Sequence, residues 1–372
     1  MAVYKIFPEK DSSIYSLYPN LNSGIDEIVE CSTRVSDEYD INTQSSRILI
    51  QFPQTEISDI IQNKVGNLPW SSSLKLFLAD GEGFSDTVTL QFYPISSSWS
   101  MGTGKFLDNP EITDGVSWNY RDYFGGKVWR ISNYGPYVTA SYLPITPGGG
   151  TWYTGSSIAG LNVVQTHSIG YYSTGDINVN VTDTIKAWVS GAFENNGFLI
   201  KQAIEFPTSS DYANIIQYFS RDTNTIYPPE LEIKWQDFTY NIGSLPVITT
   251  SQMVATLPNN TGVFYSESVQ RFRVNVRPEY PPRVFQTSSL YTNQYVLPTA
   301  SYYAIKDLDT NEFVIDFDTT FTQISCDTSG SYFDVYMNGL QPERYYKILI
   351  QTTVDGSTLV LDDDYNFKVV NG

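Results

Sequence analysis

Leu74-Lys75-Leu76-Phe77-Leu78 is the stretch on which the fold turns. Side chains alternate across a strand, so Leu74, Leu76 and Leu78 share one face. Val88-Thr89-Leu90-Gln91-Phe92, Ile177-Asn178-Val179-Asn180-Val181 and Leu231-Glu232-Ile233-Lys234-Trp235 repeat the pattern. The same alternation returns near the end in Phe313–Asp318, Tyr332–Tyr336, Tyr346–Ile350 and Tyr365–Val369. Ile48-Leu49-Ile50-Gln51-Phe52 is an apolar run of strand length. Each alternating strand has one face for a core and one for water, which predicts antiparallel sandwiches or barrels. Aromatic residues make up 15% of the chain and charged ones only 17%, a balance that suits pleated, half-buried surfaces. The expected class is all-β, and no repeat of fixed period is present.

Two short helices interrupt the strands. One is expected over Glu56–Ile61 with Thr55 as its cap. The other covers Thr182–Val189, with Thr182 as cap and Ile185, Trp188 and Val189 on one face. The least regular segment, 96–175, carries Met101-Gly102-Thr103-Gly104, Gly125-Gly126 and Pro147-Gly148-Gly149-Gly150. Trp99, Trp118, Trp129 and Trp152 lie among them. A loop this long is expected to be functional or an assembly surface. The chain therefore divides into 1–236, a stretch 237–278 that is either a connector or extra strands, and 279–372. Val274-Asn275-Val276-Arg277-Pro278-Glu279-Tyr280-Pro281-Pro282 is expected to form a stiff stop.

At 372 residues the chain suits two or three domains. Its net charge of −18 argues against nucleic acid and against anionic membrane surfaces, and favours solubility. Cys31 and Cys326 are expected to be free and buried. Met1-Ala2-Val3-Tyr4-Lys5-Ile6-Phe7 has no apolar signal core, and no apolar run approaches the ~20 residues of a membrane span. Synthesis and retention in a cytoplasm, or release by lysis, is the expectation.

The order of motifs over about 8–235 resembles the DNRLRE family of jelly-roll β-sandwich domains. The matching pieces are Lys10-Asp11-Ser12-Ser13-Ile14 with Asn22 and Gly24, then Ser46-Arg47-Ile48-Leu49-Ile50-Gln51-Phe52, Leu74–Leu78 and Trp99. Gly115-Val116-Ser117-Trp118-Asn119, Val179–Gly191 with Trp188, Asn196–Ile200 and Pro229–Ile233 follow. The long Gly-rich segment between Trp118 and Val179 departs from the family, as does Gln51 in place of a second arginine. The resemblance implies that Trp118 and Trp188 are core, and some relatives bind carbohydrate. Separately, Leu340-Gln341-Pro342-Glu343-Arg344-Tyr345-Tyr346 resembles the fibronectin type III pattern. It implies an Ig-like C-terminal sandwich in which the Tyr346 hydroxyl ties back to the corner backbone.

Catalytic and metal chemistry finds little footing. His167 is the only histidine, and no cysteine or carboxylate lies within five residues of it. Gly102-x-Gly104-Lys105 lacks phosphate-loop spacing. Asp362-Asp363-Asp364 and the pair Asp316/Asp318 are weighed as glycosidase carboxylates and read instead as a solvated hairpin loop and strand surface. A calcium ion is weighed at Asp362–Asp364 and around Asp37, Glu38 and Asp40. The reading assigns no cofactor and no enzyme activity. Trp129 and Trp152 are the surface candidates for stacking on sugar rings or meeting another subunit.

A surface-type module without an export signal, followed by an Ig-like one, resembles collar, fibre, decoration or baseplate-accessory proteins of bacteriophage particles. The expected function is structural: docking to other virion proteins, self-association into a symmetric oligomer through the Gly/Trp-rich segment or an edge strand, and adhesion to a host glycan. A carbohydrate-binding surface module is the alternative, with a polysaccharide depolymerase behind it.

Overall fold

A computed structural model of the protein describes residues 2–36, 42–83, 87–129, 138–140, 148–154, 158–170, 172–205, 214–280 and 294–372. Strand accounts for 47% and helix for 7%, so the chain is all-β with sandwich-like sheets, as the alternating runs predict. Two compact units emerge: Ile6–Gly66 with Ser71–Glu232, and Met1–Lys5 with Asn67–Trp70 and Ile233–Gly372.

The first unit is built on an eight-stranded sheet. Its order is Gln165–Ile169, Val88–Pro94, Phe198–Gln202, Asn42–Gln51, Ile28–Ser36, Asn214–Phe219 and Leu78–Glu82, with Lys10–Tyr15 also paired to Asn42–Gln51. At its centre Phe198, Leu199 and Ile200 stand opposite Ile50, Leu49 and Ile48. All six side chains are buried. The unbroken apolar run Ile48-Leu49-Ile50 is thus buried on both sides of the sheet, unlike the alternating strands.

One side holds Phe198, whose ring lies 4.9 Å from that of Trp188 on the helix Thr182–Val189. Leu74 and Leu76 pair with Val179 and Ile177 in a smaller sheet, and these four side chains are also buried. The helix starts one residue earlier than expected, with Val181 at the cap position, while Asn180 Oδ1 accepts the Thr182 N–H at 3.0 Å. Thr182 Oγ1 instead accepts the Ser72 N–H at 2.8 Å. Similarly, Pro53 and not Thr55 precedes the helix Gln54–Asp59, which continues as a π-helical turn, Ile60–Val65.

The other side of the sheet carries Ile14, Leu49 and Leu199, and these pack against Trp99, Trp118, Trp129, Trp152, Val116 and Ile95. The described part of the Gly/Trp-rich segment is thus a covering layer and not a free loop. Four indoles, each able to bury ~150–250 Å², contribute much of the cover over this sheet face.

The second unit places a four-stranded sheet against a five-stranded one. The first is ordered Met253–Thr256, Val269–Pro278, Gly330–Tyr336 and Ser325–Asp327. The second is ordered Val263–Tyr265, Ser357–Val370, Tyr345–Val354, Ser301–Asp307 and Phe313–Ile315. Phe272, Val274, Val276, Phe333 and Val335 meet Tyr303, Ile305, Tyr346, Ile348, Ile350, Phe367 and Val369 in one core. Tyr303 stacks on Phe333 with ring centroids 4.4 Å apart. Within 237–278 lie the strands Met253–Thr256, Val263–Tyr265 and Val269–Pro278. Pro281 and Pro282 fall outside the described residues.

Candidate functional site

The buried centre of the tryptophan layer is Arg47, which has no solvent exposure. Its Nε and Nη2 donate to both carboxylate oxygens of Glu205, at 2.6 and 2.9 Å. Its Nη1 donates to the Gly149 carbonyl. The guanidinium lies 4.7 Å from the Trp118 ring centroid and 5.1 Å from that of Trp152. Lys201 Nζ adds a bond to Glu205 at 3.0 Å. Burial alone would push the Glu205 carboxyl up, but Arg47 and Lys201 hold it below the usual carboxylate range. Every group here is matched inside the protein, which makes the cluster a structural clamp.

The predicted sugar-stacking tryptophans belong to that clamp layer. Trp129 is 1% exposed and Trp152 5%, so neither presents a ring to a ligand. Trp129 Nε1 donates to the Ser117 carbonyl at 2.9 Å. The expectation failed because indoles amid glycines read as a loop, whereas here the glycines let the loop press onto the sheet. Trp118 and Trp188 are buried, as the family resemblance implies. Tyr346 is buried too, and its hydroxyl donates to the Gln341 carbonyl at 2.9 Å.

The carboxylates weighed for catalysis and calcium have other partners. Asp362–Asp364 occupy an irregularity within the long strand Ser357–Val370 and not a hairpin tip. Lys347 Nζ bonds Asp362 at 2.8 Å and Asp364 at 2.9 Å, and the Tyr365 hydroxyl donates to Asp363 at 2.9 Å. Asp318 caps its own turn through the Thr320 and Phe321 N–H groups, and Asp316 accepts from the Phe317 N–H. Asp37, Glu38 and Asp40 lie outside the described residues. Among the described residues no group of three His, Cys, Asp or Glu side chains is arranged to hold a metal. His167 sits in the strand Gln165–Ile169 opposite Leu90, and partial burial draws its imidazole pKa down against the Asp176 hydrogen bond. Cys31 and Cys326 are free and buried.

A small open cleft lies elsewhere on the first unit, lined by Tyr15, Leu17, Tyr18, Phe106, Glu30, Ser32, Gln44 and Ser45. Tyr15 ends the strand Lys10–Tyr15, and the chain then turns, with the Leu21 N–H donating to the Tyr18 carbonyl. Leu17 and Tyr18 are left on the surface of this turn. Phe106 arrives from the glycine-rich segment. Asn22 secures that approach: its amide donates to the Met101 and Val116 carbonyls, and its oxygen accepts the Gly104 N–H at 2.8 Å. Asp26 accepts the Phe106 N–H at 3.0 Å, and Lys105 pairs with Glu27 at 2.5 Å. The Phe106 ring lies 4.7 Å from Tyr15 and 5.7 Å from Tyr18. Within this lining Ser32 Oγ donates to Glu30 at 2.5 Å, and Gln217 Nε2 donates to its other oxygen at 3.1 Å. Ser45 Oγ reaches Glu205 at 3.4 Å, tying the lining to the arginine clamp.

An aromatic wall beside fixed hydroxyl, amide and carboxylate groups suits a small ring that is apolar on one face and polar at its edge. Sequence reading passed over these residues. The signal was present in Leu17-Tyr18 and Phe106-Leu107, large apolar residues within turns that no strand face absorbs.

A second feature is the hairpin of Tyr120–Asp122 with Lys127–Val128. Asp122 accepts the Gly125 N–H at 2.9 Å and pairs with Lys127 at 3.0 Å, and Phe124 at the tip is 90% exposed.

No family model matches the chain, and no curated protein matches it. Among solved structures, a DUF4785 family protein from Legionella pneumophila aligns over 98% of this chain and 65% of its own, at 6% identity and a TM-score of 0.17. The β-glucuronidase of Parabacteroides merdae aligns over 81% of this chain but only 28% of its own, at 12% identity and a TM-score of 0.15. The binding domain of a serotype D/C botulinum neurotoxin gives 90% and 68%, at 8% identity and a TM-score of 0.15. The chain thus spans less than two thirds of the length of the first two. TM-scores this low describe molecules whose overall arrangements differ.

Proposed function

We propose that this protein is a non-catalytic, adhesive component of a bacteriophage particle, and that it holds host-surface glycans in the Tyr15–Tyr18–Phe106 cleft. The observation that carries the adhesive reading is the cleft itself: an aromatic wall set over serine, glutamine and carboxylate groups. The particle assignment rests on the resemblance of the sequence to phage collar, fibre and accessory proteins. A glycan array probed with the purified protein tests adhesion. Binding is expected, and Phe106→Ala is expected to weaken it about tenfold by removing one ring of the wall. An array without hits, or hits that Phe106→Ala leaves unchanged, would end the reading. Mass spectrometry of purified particles tests the location, and incubation with bacterial polysaccharide, expected to leave chain length unchanged, tests the absence of catalysis.

Docking to neighbouring particle proteins is a second mode, favoured by Phe124 on its braced hairpin. Exposed aromatics of this kind anchor protein interfaces. Phe124→Ser is expected to abolish self-association or particle binding without altering glycan binding, as read by sedimentation.

A further inference from the structure

We infer that the cleft takes an N-acetylated amino sugar, with the acetamido methyl against the Tyr18–Phe106 wall and the acetamido amide paired with the Gln44 carboxamide. This rests on the glycan reading above and adds the ligand class. The cleft lies where the strand Asn42–Gln51 changes partner: Lys10–Tyr15 pairs with its residues 46–51, and Ile28–Ser36 with its residues 42–45. At the change Ser16 leaves the ladder. Its N–H donates to the Ser45 carbonyl at 2.9 Å, and its Oγ accepts the Ser45 N–H at 2.8 Å. Gln44 is the next residue along, half-buried and part of the cleft lining. The serine hydroxyls beside it already donate within the protein, Ser32 to Glu30 and Ser45 to Glu205. Among the described residues the Gln44 carboxamide makes no hydrogen bond, so its acceptor and its donors are open to a ligand. The rest of the lining is more apolar than a plain sugar needs. A hexose offers one patch of C–H bonds, which a single ring covers. Here Tyr15 and Tyr18 both stand against Phe106, and Leu17 is 48% exposed beside them.

An acetamido group matches both halves. Its methyl removes apolar surface from water, its N–H donates to Gln44 Oε1, and its carbonyl accepts from Gln44 Nε2. A hydroxyl in the same place can make only part of that pairing and brings no methyl. Calorimetry on the full chain with paired sugars measures the difference: N-acetylglucosamine against glucose, N-acetylgalactosamine against galactose, and N-acetylmannosamine against mannose. In the pair whose ring stereochemistry fits, the acetamido member is expected to bind about tenfold tighter or more, from one buried methyl and the added hydrogen bonding. Gln44→Met, which keeps the length of the side chain without its amide, is expected to shrink that preference severalfold. A ligand change gives the same answer without relying on that variant's folding. The O-acetyl ester at the same carbon keeps the methyl and the carbonyl but has no N–H, and is expected to bind about fivefold more weakly than the acetamido sugar. Equal or tighter binding of the plain sugar in every pair that binds, or equal binding of ester and amide, overturns the acetamido assignment and leaves the glycan reading standing. Failure of all six sugars, and of every glycan on the array, overturns both.

Discussion

Arg47 is held without solvent by Glu205, the Gly149 carbonyl and two indole faces that converge on it. Removing the cation alone strands a buried carboxylate. Arg47→Met is therefore expected to cost about 3–5 kcal/mol in urea unfolding, with the added replacement Glu205→Leu recovering much of that loss. Gly149 is tied to the same spot. Its φ is +76°, and a Cβ there would lie 2.4 Å from Arg47 Nη1 and 2.9 Å from the Trp118 ring. Asp11 behaves in the opposite sense to Glu205. Burial pushes its carboxyl up from 3.8 to about 7, although the Arg221 N–H donates to it at 2.7 Å. The folded state thus holds this proton more tightly than the unfolded chain. Stability from this group is present below pH 3.8 and is lost as pH rises through about 7. Asp11→Asn keeps the acceptor and avoids the ionisation. It is expected to be about 2 kcal/mol more stable than the parent at pH 8 and little different at pH 4, measured by denaturant midpoints.

At the level of elements, alternation was enough to locate strands, because period two follows from backbone geometry alone. Leu74 and Leu76, Leu90 and Phe92, and Tyr346 and Ile348 all face cores as read. The tyrosine corner was legible for the same local reason: the Tyr346 bond to Gln341 spans five residues. Tyr346→Phe is expected to cost about 1 kcal/mol in thermal or urea unfolding. What alternation does not convey is the cover over a second sheet face, since contacts such as Trp99 Nε1 to the Asn196 carbonyl join residues 97 apart. The cleft was hidden likewise, because Tyr15 and Phe106 are 91 residues apart and are brought together by contacts such as the Asn22 clasp and the Asp26 bond to the Phe106 N–H. Trp129→Ala distinguishes the core role of that residue from the sugar-stacking role expected of it. A cost of about 3–5 kcal/mol in stability is expected, with glycan binding unchanged in the variant that remains folded.

Taken as a whole, the chain carries 40 acidic against 22 basic residues. Surface ion pairs such as Lys127–Asp122 contribute little each, so self-repulsion is the larger exposed electrostatic effect. Raising sodium chloride from about 20 to about 300 mM at pH 7 is expected to raise the melting temperature by a few degrees, because the Debye length contracts from about 20 Å to about 6 Å. A fall would mean that attractive pairs outweigh the repulsion. The strands at the borders of the second unit's sheets are short: Met253–Thr256, Ser325–Asp327, Val263–Tyr265 and Phe313–Ile315. Short borders offer little backbone for another chain to pair with.

The covering layer has an optical consequence. Of the seven tryptophans, four sit in that layer, each at or below 5% exposure. Their indoles are shielded from water dipoles, so the native protein should emit at short wavelength and resist quenching by acrylamide. Peeling the layer from the sheet would shift the emission to the red before the strands themselves come apart. Light from the chain's own tryptophans then reports whether this one face is covered, without any label.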